Sequence, residues 1–139
     1  MKKANRLIAF LLLAATACAG EKAPAAYGSI VRFSKNHAVV FSDFTMTYTG
    51  ERKVVDPKFK PGFTFYDFEV KSAKGSQTVS WTSGTGIIDS ASFVVDGKPY
   101  ELELRGSVLK KGWLRDDEMV VWPQAQFMKA LEKRNNESR

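Results

Sequence analysis

The pair Asp96-Gly97, set between two runs of alternating apolar residues, constrains the fold more than any other feature of the chain. Asp-Gly readily takes the two positive φ values of a type I′ turn, whose twist matches that of the strands it joins. The register then follows. With Val95 facing Lys98, Phe93 faces Tyr100 and Ala91 faces Leu102, so the apolar side chains of both strands share one face. Glu101, Glu103 and Arg105 are expected on the other face, in solvent, and a slip of one residue would bury those charges.

The same period of two recurs along the chain. Phe44, Met46 and Tyr48 alternate with Asp43, Thr45, Thr47 and Thr49, and Tyr66, Phe68 and Val70 alternate with Asp67, Glu69 and Lys71. Phe63 and Phe65 fall on the opposite phase, which implies a bulge or a strand start buried on both sides. Val79 and Trp81 share a face. Further turns are expected at Lys110-Lys111-Gly112 and Arg115-Asp116-Asp117-Glu118, flanked by Trp113-Leu114 and Met119 to Trp122. Only the end of the chain reads as helix: Pro123 suits a first helical position, and Phe127, Met128 and Leu131 form an apolar stripe. The predicted fold class is mainly β, a small antiparallel β-sandwich or barrel with a short C-terminal helix. The chain holds 139 residues, 44% of them hydrophobic, enough for a single core.

Met1 to Gly20 has the three parts of a secretory signal: cations at Lys2, Lys3 and Arg6, an apolar stretch from Leu7 to Ala17, and small residues at its end. The stretch is too short for a spanning helix, which needs about 20 apolar residues. Ala14-Ala15-Thr16-Ala17-Cys18 resembles the lipobox of bacterial lipoproteins, although Ala15 stands where the commonest pattern has Leu. The resemblance covers the leader alone. It implies that residues 1–17 are a signal peptide, that Cys18 is lipidated, and that the protein is anchored to a membrane through its N-terminus. Ala19 after the cysteine implies the outer membrane, facing the periplasm. Ordinary signal-peptidase cleavage is also compatible, because Ala15-Thr16-Ala17 and Ala17-Cys18-Ala19 both have the A-x-A form. Each buried methylene of an anchor contributes about 0.8 kcal/mol, and two or more chains hold a protein stably. Residues 18–28 read as a tether interrupted by Pro24, residues 29–133 as one β-rich domain, and 134–139 as a disordered tail, with fraying from Glu132.

Without Lys2, Lys3 and Arg6, 18 basic residues face 15 acidic ones, scattered rather than clustered. Nucleic-acid binding needs a concentrated basic face, so it is not expected. The one cysteine permits no intramolecular disulfide, and the one histidine, His37, excludes any site built on two imidazoles, HExxH zinc chemistry included. His37 reads as an exposed turn residue; Asp43, Asp67 and Asp89 read as solvated surface. No cofactor, metal site or catalytic residue is expected. The segment with most local character is Trp81-Thr82-Ser83-Gly84-Thr85-Gly86, where Trp81 offers a stacking face and Ser83, Gly84, Thr85 and Gly86 offer N–H groups and hydroxyls to a ligand. It matches neither a P-loop nor a dinucleotide fingerprint. The alternative is a glycine-rich connection with Trp81 in the core, and Trp113 and Trp122 carry the same ambiguity.

The expectation is therefore an envelope-anchored lipoprotein with a non-catalytic periplasmic domain that binds an envelope protein, glycan or lipid. A structural or assembly factor of an envelope complex is the rival. A small hydrolase is third, and needs a carboxylate pair or an activated hydroxyl inside a cleft.

Overall fold

The computed structural model describes residues 22–83 and 89–139. The Asp96-Gly97 turn forms as the sequence requires, with φ of 49° at Asp96 and 80° at Gly97. It joins β6 (Ala91–Val95) to β7 (Lys98–Glu103) in the expected register, Phe93 opposite Tyr100 and Ala91 opposite Leu102. β8 (Glu118–Pro123) pairs with the far side of β7, and the two-residue β1 (Val31–Arg32) completes an antiparallel sheet in the order β1-β8-β7-β6.

The second sheet, in the order β2-β3-β4-β5, is built from β2 (Ala38–Val40), β3 (Thr45–Asp56), β4 (Phe59–Ser72) and β5 (Gly75–Ser83). Two separate four-stranded sheets make the fold a sandwich rather than a barrel. Where β5 and β6 lie side by side, side chains stand in for a backbone ladder: Gln77 Nε2 donates to the Val94 carbonyl and Trp81 Nε1 to the Asp89 carbonyl. The irregularity foreseen near Phe63 and Phe65 lies just before Phe63, where the register shifts from Val54 opposite Phe63 to Asp56 opposite Phe59. A second shift falls on β3, which carries one residue more than β4 between Tyr48 and Gly50. From Phe63 onward β4 alternates, and Phe65 turns outward beneath the Arg52 guanidinium, 4.9 Å from its ring centre.

Alternation places Met46, Phe68, Val70, Val79 and Trp81 on the inner face of one sheet, against Phe93, Tyr100, Leu102, Met119 and Val121 of the other. All are buried, and each such side chain contributes about 1.5–3 kcal/mol relative to exposure. Aromatic rings meet edge to face at the centre, with Phe44 and Tyr100 5.0 Å apart.

Three boundaries differ from expectation. The tether ends before residue 25, because Ala25 N–H bonds the Val40 carbonyl and Tyr27 stacks on Phe41 while its hydroxyl donates to Asp43. Gly28, with φ +68°, brings the chain so near Trp122 that a Cβ would stand 2.6 Å from the indole. Pro123 precedes the helix instead of opening it: with φ −58° and ψ 133° it ends β8, and α1 runs from Gln124 to Glu137. That end lies beyond Arg134, where the tail was expected to begin, so Glu132 to Glu137 are helical.

Candidate functional site: a cleft between the helix and the outer sheet face

β8 buries both of its faces. Met119 and Val121 enter the inter-sheet core, while Val120 and Trp122 point the other way, into a second cluster with Leu114 and Phe127. The helix causes this. Its apolar stripe, Phe127 with Ala130 and Leu131, lies on the outer face of the first sheet, and the Phe127 ring sits 6.3 Å from Trp122. Met128, expected in that stripe, is instead exposed.

The same roof overturns the expectation for Glu101 and Glu103. Both were assigned to solvent, and both are 4% exposed. In the register of β7 with β8, Glu101 stands opposite Trp122 and Glu103 opposite Val120, on the face that α1 covers. Arg105, the third expected outward charge, is half-buried and donates to the Tyr66 hydroxyl.

Burial of a carboxylate is tolerated only when hydrogen bonds replace its water. Glu103 Oε2 accepts from Ser107 Oγ at 2.7 Å and Trp122 Nε1 at 2.8 Å, and Oε1 accepts from the Val108 N–H at 2.8 Å. Glu101 accepts from Ser90 and Ser92 hydroxyls and from Gln124 Nε2. These bonds tie β7 to the first turn of α1 and to the connection that follows Glu103.

That connection, Gly106 to Trp113, stands away from the helix and leaves a cleft of about 460 Å³. Glu103 and Ser107 form its floor, Val108, Phe127 and Leu131 its apolar walls, and Lys110, Trp113 and Arg134 its rim. Trp113 is 67% exposed, whereas Trp81 and Trp122 are buried. The volume is in the range of small-molecule sites, and the lining has their usual character, apolar walls with a few polar groups.

No family model matches the chain, and neither the curated proteins nor the solved structures return a significant match. The geometry of the cleft alone therefore carries the functional reading.

The residues singled out in the sequence are dispersed. Trp81 is 2% exposed, packed on Tyr66 with its indole N–H spent on Asp89, so its ring faces are core surface. Ser83 is half-buried at the end of β5, opposite Thr64. Gly84, Thr85 and Gly86 lie outside the described residues, as does Cys18. His37 is exposed, with Nδ1 2.9 Å from the Lys35 carbonyl. The three aspartates have separate surroundings. Hydrogen bonds from Tyr27 and Tyr100 hold Asp43 below the usual carboxylate range, and the Arg52 guanidinium, helped by Ser80, does the same for Asp67. Burial, together with bonds to Tyr27 and Asp43, pushes the Tyr100 phenol well above its ordinary value. Asp89 lines the cleft. Among the described residues no three His, Cys, Asp or Glu side chains are placed to hold a metal ion.

Sequence reasoning missed Glu103, Ser107, Lys110 and Arg134 as cleft residues. A signal was present: Val120 and Trp122 are large and apolar on the phase that pairs with Glu101 and Glu103, so that face required a cover.

Proposed function

We propose that this chain is an exported protein, anchored through lipid on Cys18, whose β-sandwich is a non-catalytic binding domain of the cell envelope. Its ligand site is the cleft between α1 and β7. The observation that carries this reading is the pairing of an exposed indole, Trp113, with a floor whose polar groups are already satisfied. A ligand entering there gains an aromatic face, apolar walls and two cations. At the floor it finds no idle base: both oxygens of Glu103 accept from the protein, and the Ser107 hydroxyl that donates to Glu103 also accepts from the Leu109 N–H. The Asp89 carboxylate, elsewhere in the lining, accepts from the Ser90 N–H. Hydrolysis needs a group free to take a proton from water or substrate, and this floor has spent its acceptors on the loop.

The leader supports the address, and the domain supports the mode of action. The intact mass of the membrane fraction should show a chain that begins at Cys18 and carries acyl chains; an unmodified chain beginning at Gly20 would refute the anchor. Native mass spectrometry of the protein released from its own envelope should show a bound small molecule that the Trp113→Ala variant has lost at unchanged melting temperature. An empty cleft in the wild type would refute the binding reading.

A further inference from the structure

We infer that the ligand of the cleft is a single phosphate-bearing amphiphile, its apolar part against Trp113, Phe127 and Leu131 and its phosphate over a cationic groove beside the second half of α1. This rests on the reading of the cleft as a binding site and names the chemistry of its ligand.

The cleft does not end at its rim. Lys110 and Arg134 also line a second hollow of about 750 Å³, enclosed by Val108 to Lys111 on one side and by Ala130 to Ser138 of the chain end on the other. Lys111 and Lys133 join them there, and the one acid among its lining residues is Glu137, 3.9 Å from Lys133 Nζ. Lys110 reaches Glu118 at 3.9 Å, but Arg115 lies equally near that carboxylate, so Glu118 is shared between two cations. The end of the helix adds about half a negative charge. Four cations thus line the groove with one carboxylate, Glu137, while Glu118 beside Lys110 is shared with Arg115, and with the partial dipole charge counted the groove keeps a net positive field. A phosphate ester complements it.

The apolar half of the ligand follows from the cleft itself. Phe127 and Leu131 form its wall, Trp113 stands at its mouth, 67% exposed, and Leu109, 43% exposed, lines the adjoining hollow. A neutral sugar would find the Glu103 oxygens occupied by Ser107, Val108 and Trp122, with Asp89 left as the lining carboxylate, and it would leave the cationic groove unused. An inorganic phosphate would leave the walls unused. An amphiphile with one phosphate uses both halves, and the concave form between helix and loop suits one molecule rather than a membrane plane.

The full chain carrying Cys18→Ser, which has no acyl chain of its own to fill the cleft, is titrated with four probes by calorimetry and tryptophan fluorescence. The probes are dihexanoyl phosphatidylglycerol below its micelle concentration, octyl glucoside, inorganic phosphate, and phosphatidylglycerol vesicles. The monomeric phospholipid should bind at least about ten-fold tighter than the glucoside or phosphate, and the affinity should fall as salt screens the groove. Lys110→Gln with Arg134→Gln should cost about ten-fold or more in that affinity at unchanged melting temperature. If that variant does not fold, Lys111→Gln with Lys133→Gln, both exposed, should show a loss in the same direction. Equal binding of octyl glucoside, untouched by these substitutions, would overturn the phosphate assignment and leave the cleft as a ligand site. Phosphate binding as tightly as the lipid would overturn the amphiphile, and binding to vesicles alone would overturn the single-molecule site. Binding of none of the four would overturn both this inference and the reading beneath it.

Discussion

Replacement of Glu103 by leucine tests the architecture of the cleft floor. Two effects compete. A carboxylate taken out of water carries a desolvation penalty of several kcal/mol, and exchange of buried ionic groups for apolar ones is often neutral or stabilising. Against this, Glu103 receives three hydrogen bonds of 2.7–2.8 Å, from Ser107 Oγ, Val108 N–H and Trp122 Nε1. Bonds to charged groups contribute about 1.5–3 kcal/mol each, net of that desolvation, so three amount to about 4–9 kcal/mol. A buried leucine returns about 1.5–3 kcal/mol. The donors remain after the substitution, and the Ser107 hydroxyl alone can rotate toward another acceptor. The expected result is a loss of about 3 kcal/mol for Glu103→Leu. Glu103→Gln should lose about 2 kcal/mol, since its amide keeps one oxygen but sets a donor against another donor. The assay is urea unfolding followed by fluorescence, read as a shift in midpoint at constant slope. Trp122→Phe removes the indole N–H and keeps a ring; combined with Glu103→Leu it should cost less than in the wild type, because the orphaned donor is gone. A Glu103→Leu protein as stable as the wild type would refute the reasoning and show that desolvation outweighs the bonds.

Gly97→Val should destabilise the domain by more than ~1 kcal/mol in the same assay, since φ is +80° and a β-branched residue is strained there. Nothing lies within 4 Å of the added Cβ, so the cost is one of backbone conformation, and an unchanged midpoint would remove that explanation. Asp67 has its folded pKa lowered, chiefly by Arg52, so its contribution is present above the ordinary aspartate range and is lost as pH falls through the folded value. Asp67→Asn should therefore flatten the acid limb of stability against pH, and an acid limb of unchanged steepness would locate the linkage elsewhere.

The hairpin around Asp96-Gly97 was legible because everything that sets it is local: a turn dipeptide fixes the register, and alternation on either side fixes the inner face. The outer face was not legible in the same way. Whether Glu101 and Glu103 meet solvent depends on α1, which begins 21 residues after Glu103, and its apolar stripe announces that it covers something without saying what. The tryptophans divide along similar lines. Trp81 shares the phase of Val79 on a regular strand, so strand period is enough to bury it, whereas Trp122 stands on the phase opposite to Val121 and is buried by α1. Trp113 follows Gly112 in a connection between strands, where no period applies, and it is the indole left exposed at the rim. The described residues of the Trp81 to Gly86 segment show the opposite bias. Ser, Thr and Gly beside an indole resemble a binding loop in composition, but Trp81 itself serves the core.

β7 and β8 carry stability on one face and the cleft on the other, with a period of two residues between the tasks. Leu102 and Val121 lock these strands into the inter-sheet core, while Glu103, Val120 and Trp122, one residue away, present the floor and the support of the cleft. The floor is thus held by a backbone that the core has already fixed, which is the condition for a site with a defined shape. The rim is different. Trp113 and Arg134 are exposed, and their side chains belong to neither buried cluster. Substitutions there should alter what the cleft accepts at little expense in stability, whereas substitutions at Glu103 or Trp122 disturb the site and the fold together. A domain divided in this way can change ligand by changing its rim, and the separation follows from the alternation of side chains along two paired strands.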